Sequence, residues 1–218
     1  YVAVGYGNAP ITDQSGFTTI NPVSRIFTST NGLSWSEVLP YLTDISLNVV
    51  LSSNNVIVAA GDQYKIYASL NGNNWTEIEI SGSTKTDNIL NGVYANGAFV
   101  LVGENGTIVV SYDGVNFNEV VSNTTQKLNA VSFVDHTFII VGDNATILRS
   151  TDAVTWENVS LIKTEENFYE IKGDTFISGY GPEELVPSVM TDSLTMTVTT
   201  RPGSNWRTDE VPFNGFAI

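Results

Sequence analysis

The sequence predicts an all-β fold built from repeated four-stranded antiparallel sheets, and three observations lead to this class. A short motif ending in an aromatic residue recurs at Trp35, Trp75, Phe117 and Trp156, at intervals of 40, 42 and 39 residues. Between the motifs, apolar and polar residues alternate as they do in half-buried strands. No segment has helical periodicity. Units of about 40 residues with four short strands each are typical of a β-propeller.

The third unit shows how the strands are predicted. LNGVYA (90–95) and AFVLVG (98–103) flank an Asn-Gly pair, which favours a two-residue hairpin turn because both turn positions need a positive φ. TIVVSY (107–112) and FNEVV (117–121) supply the third and fourth strands on either side of the motif. The fourth unit repeats this plan, and we expect His136 in its first hairpin turn.

A fifth unit completes the predicted ring. TTRPGSNW keeps the Gly-x-x-Trp spacing at Gly203 and Trp206, whereas the alternative MTDSLTM (190–196) keeps the interval but has Met instead of an aromatic residue. The first is preferred because LTMTVTT (194–200) alternates like a third strand. Five motifs therefore predict a five-bladed β-propeller of four-stranded antiparallel blades.

The two chain ends predict how this ring closes. FNGFAI (213–218) matches an innermost strand and YVAVGYG (1–7) a second strand, so the C-terminal strand should pair with the N-terminal strand and leave no free edge. We expect a single domain, 1–218, from a longer chain. Its predicted blades are 213–218 plus 1–39, 46–80, 89–121, 127–160 and 167–211.

Composition narrows the possible partners. Nine Lys and Arg against 23 Asp and Glu give a net charge of −14, which disfavours nucleic acid and anionic lipid as partners. No apolar run is long enough to span a membrane, so no membrane insertion is expected. The chain has no Cys and one His, which excludes thiolate and multi-histidine metal sites. We predict no cofactor.

The repeated motif reads Ser-x-Asn/Asp-Gly-x-x-Trp/Phe. It resembles the Asp-box, or BNR, repeat of sialidases, photosystem assembly factors and other propellers, but is one residue shorter between Ser and Gly. The fourth copy has Ala153 for Gly, and the fifth has Thr200 and Pro202 for Ser and Asp. The resemblance implies a structural turn on the face away from the usual binding site. The predicted turn residues are Asn31, Gly32, Trp35, Asn71, Gly72, Trp75, Asp113, Gly114, Phe117, Asp152, Trp156, Gly203 and Trp206.

The residue types fit such a turn. An Asn or Asp side-chain oxygen can accept hydrogen bonds from backbone N–H groups of the turn. Glycine can take the left-handed conformation, and the aromatic ring can cover the end of the hairpin.

Catalysis is the less favoured interpretation. The resemblance to sialidases would imply an arginine triad, but the four arginines, Arg25, Arg149, Arg201 and Arg207, do not lie in that family's context. A glycosidase needs two facing carboxylates, and Glu170 is the only carboxylate on a predicted inner strand. A glycoside hydrolase that uses Glu170 stays open as the second alternative.

Two groups of residues are candidates for binding. Asn48, Asn91, Asn129 and Asn214 recur at one position of the inner strands, where they either present amides to a sugar or tie each blade to an incoming loop. The connections 5–24 and 179–193 are predicted to be long neighbouring loops, with exposed residues Tyr6, Phe17, Tyr180, Glu183 and Glu184. Asp62, Glu104 and Asp143 could supply oxygen ligands for Ca²⁺, but no dense Asp-x-Asp-x-Asp loop occurs, and we predict no metal.

These observations favour a non-catalytic recognition or structural module of a larger assembly. The Ser/Thr/Asn/Gly-rich, Lys-poor, Cys-free composition looks like that of bacteriophage tail, neck or receptor-binding proteins, which implies a virion or extracellular location. The expected partners are other proteins or a host domain of the same polypeptide. The alternative is a lectin-like propeller that binds a cell-surface glycan.

Overall fold

The computed structural model describes residues 1–38 and 45–160, together with the backbone of three strands at 168–172, 175–178 and 197–200. The chain divides into two compact units, Tyr1–Leu101 with Val109–Glu119, and Val102–Ile108 with Val120–Ile218. The described residues contain strands and two single 3₁₀ turns, Asp62–Tyr64 and Glu104–Gly106. None of these residues belongs to a helix that could span a membrane. The fold is therefore all-β.

The described residues form five sheets that follow one another along the chain, and three of these sheets have four strands. Sheet 1 contains β1 (Val2–Thr12), β2 (Thr18–Thr28) and β3 (Ser36–Glu37). Sheet 2 contains β4 (Leu47–Ser52), β5 (Ile57–Gly61), β6 (Ile66–Ser69) and β7 (Thr76–Ile78). Sheet 3 contains β8 (Ile89–Ala95), β9 (Ala98–Gly103), β10 (Ile108–Ser111) and β11 (Asn118–Val120).

The last two sheets lie in the second unit. Sheet 4 contains β12 (Leu128–Val134), β13 (Thr137–Gly142), β14 (Ile147–Ser150) and β15 (Glu157–Asn158). Sheet 5 contains β16 (Phe168–Lys172), β17 (Thr175–Ser178) and β18 (Thr197–Thr200). In sheets 2, 3 and 4 each strand pairs with the next one along the chain. Each of these three sheets is therefore a four-stranded meander.

The local predictions for the third and fourth units are confirmed. All four strands of the third unit occur within one residue or so of the predicted segments. Its hairpin turn is Asn96-Gly97, with φ of 49° and 78°. The corresponding turn of sheet 4 is Asp135-His136, with φ of 44° and 62°, so His136 lies in a hairpin turn as predicted.

The apolar faces of neighbouring sheets form the cores. In the first unit β4 lies beside both β1 and β8. Val58, Ile66, Ile89, Phe99 and Leu101 are buried together in one cluster. A second cluster joins Ile26 of sheet 1 to residues of sheet 2. In the second unit β12 lies beside β16. Within the first unit, neighbouring sheets therefore pack against each other through apolar side chains.

Backbone hydrogen bonds add a second link between sheets. The turn from β5 to β6 places Gln63 and Tyr64 in the left-handed region, with φ of 56° and 61°. This orientation lets the Tyr64 N–H donate to Asp87 O at 2.9 Å, just before sheet 3. Asn144 and Ala145 have the same conformation in the corresponding turn of sheet 4, with φ of 51° and 53°.

Two parts of the chain differ from the predicted plan. The segment 5–24, predicted as a loop, is a β-hairpin in which β1 and β2 pair continuously from Val2↔Thr28 to Thr12↔Thr18. In sheet 5, β17 pairs with β18 in parallel, whereas antiparallel blades were predicted. A two-residue turn forces antiparallel pairing, but a connection as long as 179–196 does not.

Candidate functional site

The motif turn is closed by two polar side chains. In sheet 1, Asn31 Oδ1 accepts the N–H groups of Leu33 at 2.8 Å and Ser34 at 2.9 Å. Ser29 Oγ accepts the Gly32 N–H at 2.8 Å. Corresponding bonds occur around Asn71 in sheet 2, Asp113 in sheet 3 and Asp152 in sheet 4. The serine was not among the predicted turn residues, although its fixed position in the motif was visible.

The tryptophan of the motif also bonds to its own turn. Nε1 donates to the carbonyl three residues earlier, at 3.2 Å for Trp35, 2.9 Å for Trp75 and 3.0 Å for Trp156. In sheet 3 this position is Phe117, which has no N–H and is instead buried in the core of the first unit. The indole thus caps the hairpin with a hydrogen bond as well as with its ring.

The glycine of the motif fits against the preceding sheet. Gly72 and Gly114 have φ of 76° and 74°. A Cβ at Gly72 would lie 3.2 Å from methyl carbons of Val2 and Thr28 in sheet 1. A Cβ at Gly114 would lie 2.5 Å from Cγ1 of Val56, the residue directly before β5 of sheet 2. At Gly72 and Gly114, glycine therefore suits both the left-handed backbone and the close approach of the neighbouring sheet. Sheet 4 has Ala153 at this position in the same conformation, with φ of 63°.

In the two copies of the motif that contain aspartate, the pKa of the carboxyl group is lowered. Backbone N–H donors from Thr155 and Val154, with Ser150, lower the pKa of Asp152 to about 2. The backbone N–H and side-chain amide of Asn116, followed by the Val115 N–H, hold the pKa of Asp113 far below its ordinary value. Hydrogen bonds that favour the charged form have this effect. In all four described copies, the Oδ1 atom of the Asn or Asp is therefore engaged by N–H groups of its own turn.

The segment 5–24, called the arm below, contains the longest run of exposed residues in the described chain. Its register continues to Thr12↔Thr18, whereas β3 pairs with β2 only at Phe27 and Thr28. All residues from Pro10 to Ile20 are exposed. With about 3.4 Å per residue, paired strands of eleven residues span roughly 37 Å. The arm is therefore an extended two-stranded ribbon that continues beyond the rest of sheet 1.

The tip of the arm is ordered by one side chain. Asp13 Oδ1 accepts the Ser15 N–H at 2.8 Å, the Ser15 hydroxyl at 2.6 Å and the Phe17 N–H at 3.0 Å. Gly16 takes the left-handed conformation, with φ of 86°. The hydrogen bonds from Ser15 and Phe17 lower the pKa of Asp13. A defined turn therefore presents Phe17 at the tip.

The arm combines exposed apolar side chains with almost no charge. Tyr6 is 52% exposed, and Phe17 and Ile20 are each 67% exposed. Asp13 is the one charged residue among positions 5–24 of a chain with a net charge of −14. Exposed aromatic and aliphatic residues with few charges are the composition found at the centres of protein interfaces.

The predicted inner-strand asparagines make contacts with the protein itself. Asn48 Nδ2 donates to Asp62 Oδ1 at 3.0 Å and to Ile89 O at 2.9 Å. Both of its amide hydrogens are thereby used, and they tie β4 to the turn between β5 and β6 and to β8. Asn129 Nδ2 donates to Asp143 Oδ1 at 2.8 Å in sheet 4. Asn91 holds the corresponding position on β8.

The three acidic residues considered as Ca²⁺ ligands lie in different sheets and have different partners. Asp62 and Asp143 accept the asparagine amides just described, and Glu104 begins the 3₁₀ turn of sheet 3. In the part of the chain that the structure describes, no three His, Cys, Asp or Glu residues form a group suited to a metal ion.

The structure also shows a polar cluster that sequence reasoning missed. Glu119 on β11 accepts hydrogen bonds from the Tyr64 hydroxyl at 3.0 Å and the Ser83 hydroxyl at 2.5 Å, and Lys85 Nζ lies 3.1 Å from its other oxygen. Burial raises the pKa of Tyr64, and its bond to Glu119 raises it further. Burial also raises the pKa of Glu119, but the bonds from Ser83, Lys85 and Tyr64 outweigh burial and lower it overall.

One feature of the sequence could have indicated this cluster: the basic residue that pairs with the outer-strand glutamate in the other sheets is replaced in sheet 3. The outer-strand glutamates Glu37, Glu77 and Glu157 form ion pairs with Arg25, Lys65 and Arg149. Each basic residue lies on the strand that pairs with the outer strand, or directly before that strand. Sheet 3 has Thr107 just before its third strand. Glu119 therefore pairs with residues of sheet 2 and of the segment between the two sheets.

Several predicted residues cannot be placed in this geometry. Tyr180, Glu183, Glu184, Gly203, Trp206 and Asn214 lie outside the described residues. For Glu170 the structure gives the backbone position alone, on β16 opposite Ile177.

No protein-family model matches the chain. No curated protein matches it either. Among solved structures, one similar chain is YCF48 bound to a D1 peptide, with a TM-score of 0.48 and 16% sequence identity. The match covers 75% of this chain and 53% of the YCF48 chain, so this chain spans about half the length of that structure.

Proposed function

We propose that this protein is a non-catalytic recognition module of a larger assembly and that the arm is its docking element. The observation that carries the proposal is the exposure of Tyr6, Phe17 and Ile20 on an ordered, nearly uncharged ribbon. A monomeric protein rarely exposes a group of large apolar residues in this way without a partner. The partner expected from this chemistry is a protein with an apolar groove.

The proposed scaffold is a single five-bladed propeller. In this proposal its five blades correspond to the five sheets. Ring closure would require FNGFAI (213–218), which lies outside the described residues, to pair with β1. The repeat length, the five motif copies and the order of the sheets support this arrangement. A rigid wheel of sheets that carries one extended ribbon is suited to binding between components of an assembly. The composition favours a phage tail or receptor-binding component.

The test is incorporation of the protein into its parent assembly. We expect Phe17→Ala/Ile20→Ala to reduce incorporation by at least tenfold while leaving the unfolding transition unchanged, because both side chains contact solvent in the free protein. The matched control is Leu33→Ala/Leu70→Ala, which removes two exposed leucines outside the arm. Equal incorporation of the arm variant and the wild type would overturn the proposal.

The glycan-binding alternative has less support. A lectin that binds sugar through these asparagines needs free amides on the inner strands. Both amide hydrogens of Asn48 are already bonded within the protein. This alternative would require glycan-array binding that Asn48→Ala and Asn129→Ala abolish. The glycoside hydrolase alternative would require turnover of aryl glycosides that Glu170→Gln abolishes.

A further inference from the structure

The two prolines of the arm occupy related places in its hydrogen-bond ladder. Tyr1 and Ser29 exchange both backbone hydrogen bonds, at 2.7 and 2.9 Å. The Asp13 N–H donates to Phe17 O at 3.0 Å. Since the register is continuous between these pairs, the odd-numbered residues of β1 and their partners form the hydrogen-bonded pairs. The even-numbered pairs direct their N–H and C=O groups outward.

Both prolines fall in outward-directed pairs. Pro22 lies opposite Asn8, and Pro10 lies opposite Ile20. An independent bond agrees with this assignment, because the Val38 N–H reaches the outward carbonyl of Ile26 at 2.8 Å. Each edge of the arm therefore carries one proline at a position where any other residue would point an N–H group away from the ribbon. Proline removes that donor.

The arm would otherwise be well suited to strand addition. In the described part of the chain no second strand pairs with β1 besides β2, and β3 covers β2 at only two residue pairs. Long, uncharged and apolar edges pair readily with another strand. The segment TTINPVS (18–24) has β-branched residues and no charge.

We propose that Pro10 and Pro22 close the two edges of the arm to strand addition by a second copy of this chain. The arm then remains available through its side chains, while edge-to-edge pairing of copies is prevented. This inference does not depend on the arm having a partner protein, since it concerns only the backbone groups that each edge offers. It predicts how many strand edges of each variant are open to pairing with another copy.

The number of open edges sets the expected assembly. Pro10→Thr opens the β1 edge and Pro22→Thr opens the β2 edge, so each single variant should form dimers. Pro10→Thr/Pro22→Thr has two open edges on each copy and should form larger, open-ended oligomers. Threonine is chosen because it favours strands and restores the N–H group.

The experiment is sedimentation velocity at several protein concentrations in about 0.15 M salt, where screening acts over roughly 8 Å and weakens repulsion between acidic copies. We expect at least a tenfold stronger self-association for the double variant than for the wild type. Asn21→Thr is the control, because it adds a threonine at a position whose N–H points into the ribbon. The proposal is overturned if the double variant sediments like the wild type, or if Asn21→Thr associates equally strongly.

Discussion

The Tyr64 hydroxyl donates a 3.0 Å hydrogen bond to Glu119, joining the turn after β5 to the outer strand of sheet 3 across 55 positions of sequence. Ser83 and Lys85 bond to the same carboxylate from the segment between the sheets. Lys85 Nζ also lies 5.9 Å from the centre of the Tyr64 ring. One carboxylate thus holds two sheets and their connection together.

Replacing this carboxylate should change how stability depends on pH. The pKa of Glu119 is below its ordinary value of 4.5, so its charged form stabilises the folded state above pH 4.5. That stabilisation is lost as the pH falls through the folded-state pKa. We expect Glu119→Gln to cost about 1–2 kcal/mol at pH 7, after allowance for partial exposure.

Urea unfolding of the two proteins from pH 7 to pH 3 measures this effect. The difference between wild type and Glu119→Gln should shrink as the carboxylate is protonated. A difference that stays constant over that range would show that the charge does not contribute.

Two buried tyrosines should respond in opposite ways to loss of their hydroxyl groups. Tyr67 is 3% exposed and its hydroxyl has no hydrogen-bond partner in the described structure. Tyr64 is 8% exposed and is bonded to Glu119. Tyr67→Phe should therefore leave the free energy of unfolding unchanged or raise it by about 1 kcal/mol, whereas Tyr64→Phe should lower it by about 1–2 kcal/mol. Chemical denaturation compares them directly, and similar losses for both would contradict the assigned bonding.

The motif glycine of sheet 3, Gly114, should tolerate alanine poorly for two separable reasons. Gly114 and Gly97 have similar φ, 74° and 78°, but only Gly114 has a neighbour close to the position of a Cβ. Gly97→Ala should cost about 1 kcal/mol from backbone strain alone. Gly114→Ala should cost about 2–4 kcal/mol, because crowding against Val56 is added. Equal losses in thermal or urea unfolding would show that sheet 2 yields to the added methyl group.

Motif turns closed by Asp should stabilise the folded state more than turns closed by Asn. Asp152 accepts two turn N–H groups as a charged acceptor with a pKa of about 2, and Asn71 accepts the same two N–H positions as a neutral amide. We expect Asp152→Asn to lower the free energy of unfolding by about 0.5–1 kcal/mol at pH 7, since this exposed turn is screened by solvent.

The pH dependence provides the check on this prediction. A lowered pKa stabilises the folded state above the ordinary value of 3.8, and this contribution disappears as the pH falls through about 2. The Asp152→Asn protein should therefore approach the wild type in strongly acidic solution. Asn71→Asp should show the reverse change, with a gain in stability near neutral pH that vanishes in acid.

The arm shows why one part of the fold was predicted incorrectly. Pro10, Pro22 and the glycines of 5–24 favour a loop when each residue is considered alone. In the structure the two prolines are compatible with strands because their missing N–H groups lie at outward positions of the ladder. Whether a proline lies at an inward or an outward position depends on which residue it pairs with. That pairing is known only once the opposite strand is known.

The sequence by itself determined the repeat, the hairpin turns and the polar closure of the four described motifs, because these depend on residues within a few positions of one another. The tertiary structure decided the continuous pairing of the arm, the parallel pair in sheet 5 and the bonding of Glu119 to Tyr64. These features depend on residues that are distant in sequence, and neither spacing nor propensity states which of them meet. The physical reason is that turn chemistry is local, whereas strand pairing and ion pairing depend on the path of the whole chain.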